Sequence, residues 1–179
     1  GKFYKWQVMP EMTLVCGCEE FTCTSVSVKT YRRYTEIMER NEGESAQDAF
    51  EANLRILMDV FDVTSRTLRE ADVIELMAAA KSVHFVMQNI ITQKFYDLNP
   101  DYEQVEQEKS AFDEYDEENG YNEAEDEAKN VWQACRESVD RIVKMCIRVM
   151  KNSYQQCMES DIMSLLDYVA FEIRTIKEN

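Results

Sequence analysis

The stretch AKNVWQACRESVDRIVKMCIRVM, residues 128–150, decides the fold class. Ala128, Trp132, Cys135, Val139, Ile142, Cys146 and Val149 recur in alternating steps of four and three, three heptads of one apolar seam. Strands place every second residue on a face, so only a helix aligns this spacing. Val131, Val143, Ile147 and Met150 widen the seam to the breadth that a helix packed in a small bundle requires. Lys144, Arg148 and Lys151 gather at its end, where the helix dipole favours cations. Asn152-Ser153 breaks the run. A short helix around Tyr154 to Met158 follows. Ser160 or Asp161 then caps a last helix with Ile162, Leu165, Leu166, Val169, Ile173 and Ile176 along one side.

Immediately upstream the character changes. DYEQVEQEKSAFDEYDEENGYNEAEDE, residues 101–127, holds 13 Asp and Glu against one Lys, a net charge of −12 out of −15 for the chain. Such a run repels itself and stays solvated, so it reads as a linker or interaction segment. The spacing and charge predict a hairpin-plus-helices module over 1–98, an acidic linker over 99–123 and a helical module over 124–179. Whether the halves pack together is not legible.

Upstream again, Asp72 and Glu75 have capping-box spacing. Val73, Leu76, Met77, Ala80, Val83, Met87, Ile90, Ile91 and Phe95 fit one long amphipathic helix that Asn99-Pro100 stops. His84 lies on or beside this stripe and reads as a half-buried packing residue. Ser45 and Asp48 open an earlier helix with Phe50, Leu54, Leu57, Met58 and Phe61 on its face. Asp62 to Ala71 is a polar joint with a turn of helix around Leu68. Tyr31, Tyr34, Ile37 and Met38 mark a helix from Thr30 that Gly43 closes. The first 28 residues read as extended: Phe3 to Val8, Met12 to Cys16 and Phe21 to Val28 are strand-like runs bounded by Pro10 and Gly17. They predict a hairpin or a three-stranded antiparallel sheet. The fold class is therefore mainly α with a small N-terminal antiparallel β element, α+β.

Composition narrows function. With 4 Gly and 2 Pro the chain suits long helices. No run of 18 apolar residues and no basic leader precedes an apolar stretch, so neither a membrane nor a secretory route is expected. Gly1 stands where Met is usual and reads as an expression remnant. The charge balance outside the acidic run offers nothing to a nucleic-acid backbone. G-x-x-x-x-G-K-[ST], G-x-G-x-x-G, H-E-x-x-H and G-x-S-x-G are all absent from the sequence. One histidine excludes a multi-His metal centre. Cys16, Cys18 and Cys23 supply only three zinc ligands at unusual spacing, whereas structural zinc takes four. Cys135, Cys146 and Cys157 suit core packing. An EF-hand centred on Gly120 would need a carboxylate where Tyr115 stands. No catalytic, cofactor-binding or metal-binding residue is expected, and no enzyme.

Two stretches carry a family resemblance. In DAFEANLRILMDVFDVTSRTLREADVIELMAAA, residues 48–80, a helix ends in a Val-Phe-Asp-Val-Thr joint before a Leu-x-x-Ala-Asp-x-x-x-Leu helix start. This resembles tail assembly chaperones of siphophages and related phages. NSYQQCMESDIMSLLDYV, residues 152–169, is similar to the C-terminal ends of such proteins. CGCEEFTC, residues 16–23, has no counterpart in the resemblance. In the family a small N-terminal module often carries an extension of separate origin, sometimes joined by translational frameshifting. The resemblance implies a non-enzymatic chaperone in the bacterial host cytoplasm. Its partners would be the tape measure protein and tail tube subunits, with no cofactor and with oligomerisation left open. Ten Met and 19 aromatic residues supply material for adaptable apolar grooves. A competing reading is a small acidic regulatory or inhibitory protein that takes a basic partner through 101–127.

Overall fold

The computed structural model describes residues 5–99 and 124–179. The acidic linker expected over 99–123 lies outside the described residues except for Asn99, as does the beginning of the Phe3 to Val8 run. The described elements are β1 (Met12–Cys16), β2 (Glu19–Cys23), α1 (Val28–Asn41), α2 (Ala46–Phe61), α3 (Ser65–Leu68), α4 (Val73–Leu98), α5 (Ala124–Met150), α6 (Tyr154–Glu159) and α7 (Ile162–Glu178). The architecture is mainly helical with one two-stranded antiparallel sheet at the N-terminus.

The hairpin is half-buried, as strand periodicity dictates. Met12, Leu14 and Cys16 face the core while Thr13 and Val15 are partly exposed. The turn at Gly17 needs a left-handed residue, and Gly17 takes φ of 64°. β2 ends at Cys23, so the expected strand to Val28 is five residues too long. The reason is that Ser27 does other work. Its side chain accepts from Thr30 N–H and caps α1, which therefore starts at Val28 rather than Thr30. Among the described residues the Trp6 to Val8 segment pairs with no strand. Instead Trp6 N–H donates to Gln93 Oε1 at 2.7 Å and anchors the segment on α4.

The caps expected at Ser45, Asp72 and Asp161 are formed, and Ser153, read only as a break, adds another. Asp48 N–H donates to Ser45 Oγ at 3.2 Å. At α4, Glu75 N–H donates to Asp72 Oδ1 at 2.8 Å, and Asp72 N–H donates to Glu75 Oε2 at 3.2 Å. Reciprocal bonds of this kind satisfy donors that a helix start leaves orphaned. Ser153 and Gln156 make the same box at α6, and Asp161 caps α7 through Ser164 N–H.

The two sequence halves share a single hydrophobic core. Leu14, Tyr31, Leu57 and Ile90 from the first half cluster with Val139, Cys146 and Leu166 from the second. α1 packs along α5, and their ion pairs give the direction. Arg32 binds Asp140 with two bonds of 2.7 and 3.1 Å, and Arg136 binds Glu39 at 2.5 Å. Rising numbers on α1 meet falling numbers on α5, so the helices are antiparallel. A short β-bridge between Ser27 and Asp161 fixes the other end, with Val28 N–H donating to Ser160 O at 2.9 Å and Ile162 N–H to Val26 O at 2.8 Å. Asp161 serves both halves: one carboxylate oxygen caps α7 while the other accepts from Val26 N–H at 3.3 Å.

The buried line of α5 departs from the expected seam. Trp132, Val139 and Cys146 are buried as predicted, but Val143 is buried where Ile142 is only half-buried, and Val149 is exposed. A straight helix has 3.6 residues per turn, so a strict seven-residue stripe drifts about 20° per heptad across a fixed partner. No described helix is long and apolar enough to cross a membrane.

Candidate functional site: an apolar groove along the central helix

α4 is apolar on more than one side. It packs against β1, α2 and α7, and Leu76, Ala79, Val83, Val86, Met87 and Ile90 are buried in those contacts. A second line remains uncovered. Ile74, Met77 and Phe85 are 81%, 50% and 55% exposed. Together with Ala78, Lys81 and Gln88 they follow i, i+3, i+4, i+7, i+11 and i+14 spacing along one helix face. Met77 and Val73 were expected on the buried stripe. Both are exposed because the neighbouring elements cover the opposite side of the helix start.

Most of this face borders an open groove of about 720 Å³. Met77, Ala78, Ala80, Lys81, His84, Phe85 and Gln88 of α4 line it, with Met38 of α1 and Asn53 of α2. Trp6 stacks obliquely on Phe85, ring centres 6.2 Å apart, and so props one end. The lining is dominated by apolar and thioether groups. Methionine suits a surface that must adapt to its ligand, because its unbranched chain has several accessible rotamers.

His84 sits in the groove wall and is held from both sides. Its Nε2 lies 2.7 Å from Asn53 Oδ1 and its Nδ1 lies 2.7 Å from the Tyr34 hydroxyl. An amide oxygen only accepts, so Nε2 carries the proton and Nδ1 accepts from Tyr34 O–H. Tyr34 is itself buried, and its ring meets Trp132 of α5 edge-on at 5.3 Å and 81°. Burial pushes the His84 pKa below the ordinary 6.5 and raises that of the Tyr34 hydroxyl, since each group is then stabilised in its neutral form. With both ring nitrogens engaged, His84 has neither a lone pair for a metal nor a free base for proton abstraction. Tyr34, His84 and Asn53 therefore form a bracket joining α1, α2 and α4 beneath the groove. The sequence marked His84 and placed Tyr34 on a core stripe. Nothing in it marked Asn53, since a lone Asn in mid-helix has no periodic signal.

The hairpin keeps the first three cysteines apart. Cys16 pairs with Glu19 beside the turn, whereas Cys23 pairs with Met12 at the open end. That places Cys23 about 13 Å along the ladder from Cys16, too far for one tetrahedral ion. Cys16 is buried and Cys18 exposed. Among the described residues no group of His, Cys, Asp and Glu is arranged to hold a metal. Cys146 and Cys157 are buried beside one another, and burial pushes the Cys146 thiol up to about 11.

Compared with known proteins, the chain matches no family model, no curated protein and no solved structure.

Proposed function

We propose that the protein is a non-enzymatic tail assembly chaperone that holds an apolar helical segment of the tape measure protein in the α4 groove and recruits tail tube subunits in the host cytoplasm. The observation that carries this reading is the uncovered line of Ile74, Met77 and Phe85 on a helix whose opposite side is buried in the core. A monomer gains nothing from presenting these side chains to water. Covering them stabilises a complex by roughly 1–3 kcal/mol for each side chain that becomes fully buried. Groove recognition of an amphipathic helix works through such i, i+3, i+4 anchors. The sequence carries no glycine loop that cradles nucleotide phosphates, so holding is stoichiometric and independent of ATP.

The test is capture of a co-expressed tape-measure client at about 0.15 M and about 1 M salt, where the screening length falls from roughly 8 to 3 Å. Capture in the groove survives the change, because apolar burial is not screened. Complete loss at high salt would instead favour a regulator acting through the acidic run, and no capture at either strength would remove the chaperone reading.

A further inference from the structure

One cation interrupts the uncovered line of α4. Met77, Lys81 and Phe85 recur at four-residue steps, about 6 Å apart along the helix axis. Lys81 alone among the described residues lining the groove carries a formal charge, in a chain whose net charge is −15. It is exposed and takes part in no hydrogen bond or ion pair among the described residues. Its helical neighbours three and four positions away are Met77, Ala78, His84 and Phe85, so no carboxylate stands where a helix would pair one with it. Glu75, the acid nearest to it on α4, is held in the capping box with Asp72. His84 is neutral with both ring nitrogens engaged. Asn53, across the groove on α2, gives its amide oxygen to His84 and keeps its NH2 donors unused. A partner that covers Met77 and Phe85 takes the ammonium between them out of water as well. That is costly unless a counter-charge arrives with the partner.

We propose that the groove selects an amphipathic helix with an Asp or Glu set between two large apolar residues, in the order apolar-x3-acid-x3-apolar, and that Lys81 determines this choice. The inference rests on the reading of the groove as a client site and names the class of segment that the site takes. The outer residues of the segment seat against Met77 and Phe85, and its carboxylate meets the Lys81 ammonium in a charge-assisted hydrogen bond. The pattern reads the same in both chain directions, so the selection does not depend on which way the client helix lies. A helix with a basic residue at the centre sets two ammonium groups together and is rejected. A helix with a neutral centre fills the groove and leaves Lys81 without a counter-charge.

The test uses three synthetic helices of about 20 residues, long enough to hold helical structure. Each is built from Ala and Gln, capped at both ends and labelled with a neutral fluorophore. Their centres read Leu-x3-Glu-x3-Leu, Leu-x3-Gln-x3-Leu and Leu-x3-Lys-x3-Leu. Binding to the full chain is followed by fluorescence anisotropy at about 0.05 M salt, where charges are weakly screened. The Glu helix binds on the order of threefold more tightly than the Gln helix and on the order of tenfold more tightly than the Lys helix. Lys81→Glu inverts this ranking and Lys81→Arg preserves it. Circular dichroism of both variants matches wild type, since Lys81 is exposed. At about 1 M salt the three affinities converge, while exchange of both Leu for Ala weakens binding at either strength. Equal affinities at low salt, or a ranking that Lys81→Glu leaves unchanged, would overturn this inference and leave the groove as a client site with the lysine stem turned out to water. Binding of none of the three helices would overturn the groove as a helix site and the inference with it.

Discussion

α5 and α4 are both long helices with more apolar residues than one stripe requires, yet they use the surplus differently. On α5 the middle of the apolar line, Trp132 to Cys146, is covered, with Tyr34 of α1 meeting Trp132 and two ion pairs running alongside, and only Val131 and Val149 near its ends stay exposed. On α4, β1, α2 and α7 cover one side, and the line through Ile74, Met77 and Phe85 is left open. The residue types are the same. What separates them is whether another element of the chain arrives to cover the face, which depends on tertiary path rather than on local pattern. An apolar stripe therefore identifies a helix, and only the fold separates its covered face from its uncovered one.

The sharpest way to break this comparison is on α5. Val139 is 1% exposed, so Val139→Asp removes core packing and buries an unpaired charge. A loss of about 3–5 kcal/mol is expected in chemical denaturation. A near-normal midpoint would mean that the α1–α5 contact is not structural.

The bracket beneath the groove should respond less. Tyr34→Phe deletes the donor to His84 Nδ1 and leaves that acceptor unsatisfied, at a cost of about 1–2 kcal/mol. The same site gives a pH signature. The folded-state pKa of His84 is lowered below 6.5 by burial, so the unfolded chain binds the extra proton more readily. Its contribution to stability is present above about pH 6.5 and is lost as pH falls through the folded pKa. Melting temperature between pH 7.5 and 5 should therefore fall less in His84→Gln than in wild type. Identical slopes would exclude the bracket as a source of pH dependence.

Arg32→Ala removes the two-bond pair with Asp140, which is only partly shielded from solvent. A loss of about 0.5–1 kcal/mol is expected, reduced by added salt. A larger loss that is insensitive to salt would assign the contact to packing of the arginine stem.

Much of this architecture is legible without coordinates. Ser45, Asp72 and Asp161 announce helix starts because a capping side chain acts within three residues of itself, and local chemistry survives in sequence. The 128–150 helix is equally plain, although its buried line shifts from Ile142 to Val143 because the seven-residue repeat and the 3.6-residue turn differ. Long-range events are not legible. The Ser27–Asp161 bridge joins residues 134 positions apart, and it converts the end of an expected strand into a helix cap. The Tyr34–His84–Asn53 bracket unites three helices through residues that share no motif. The sharing of one core by both halves was equally out of reach, since −12 of charge between them describes a linker and not what its ends do.

The smallest expected change in stability belongs to the groove, and it tests the central claim most directly. Ile74→Asp with Met77→Asp alters exposed positions of the open face and leaves the Trp6–Phe85 contact in place, so the melting temperature should stay within the scatter of surface substitutions, about 0.5 kcal/mol. Measured on the same preparation at about 1 M salt, where charge steering is screened, capture of the tape-measure client should be abolished while wild type retains it. Unchanged capture, or a destabilisation approaching that of Val139→Asp, would contradict the assignment of this face to partner binding.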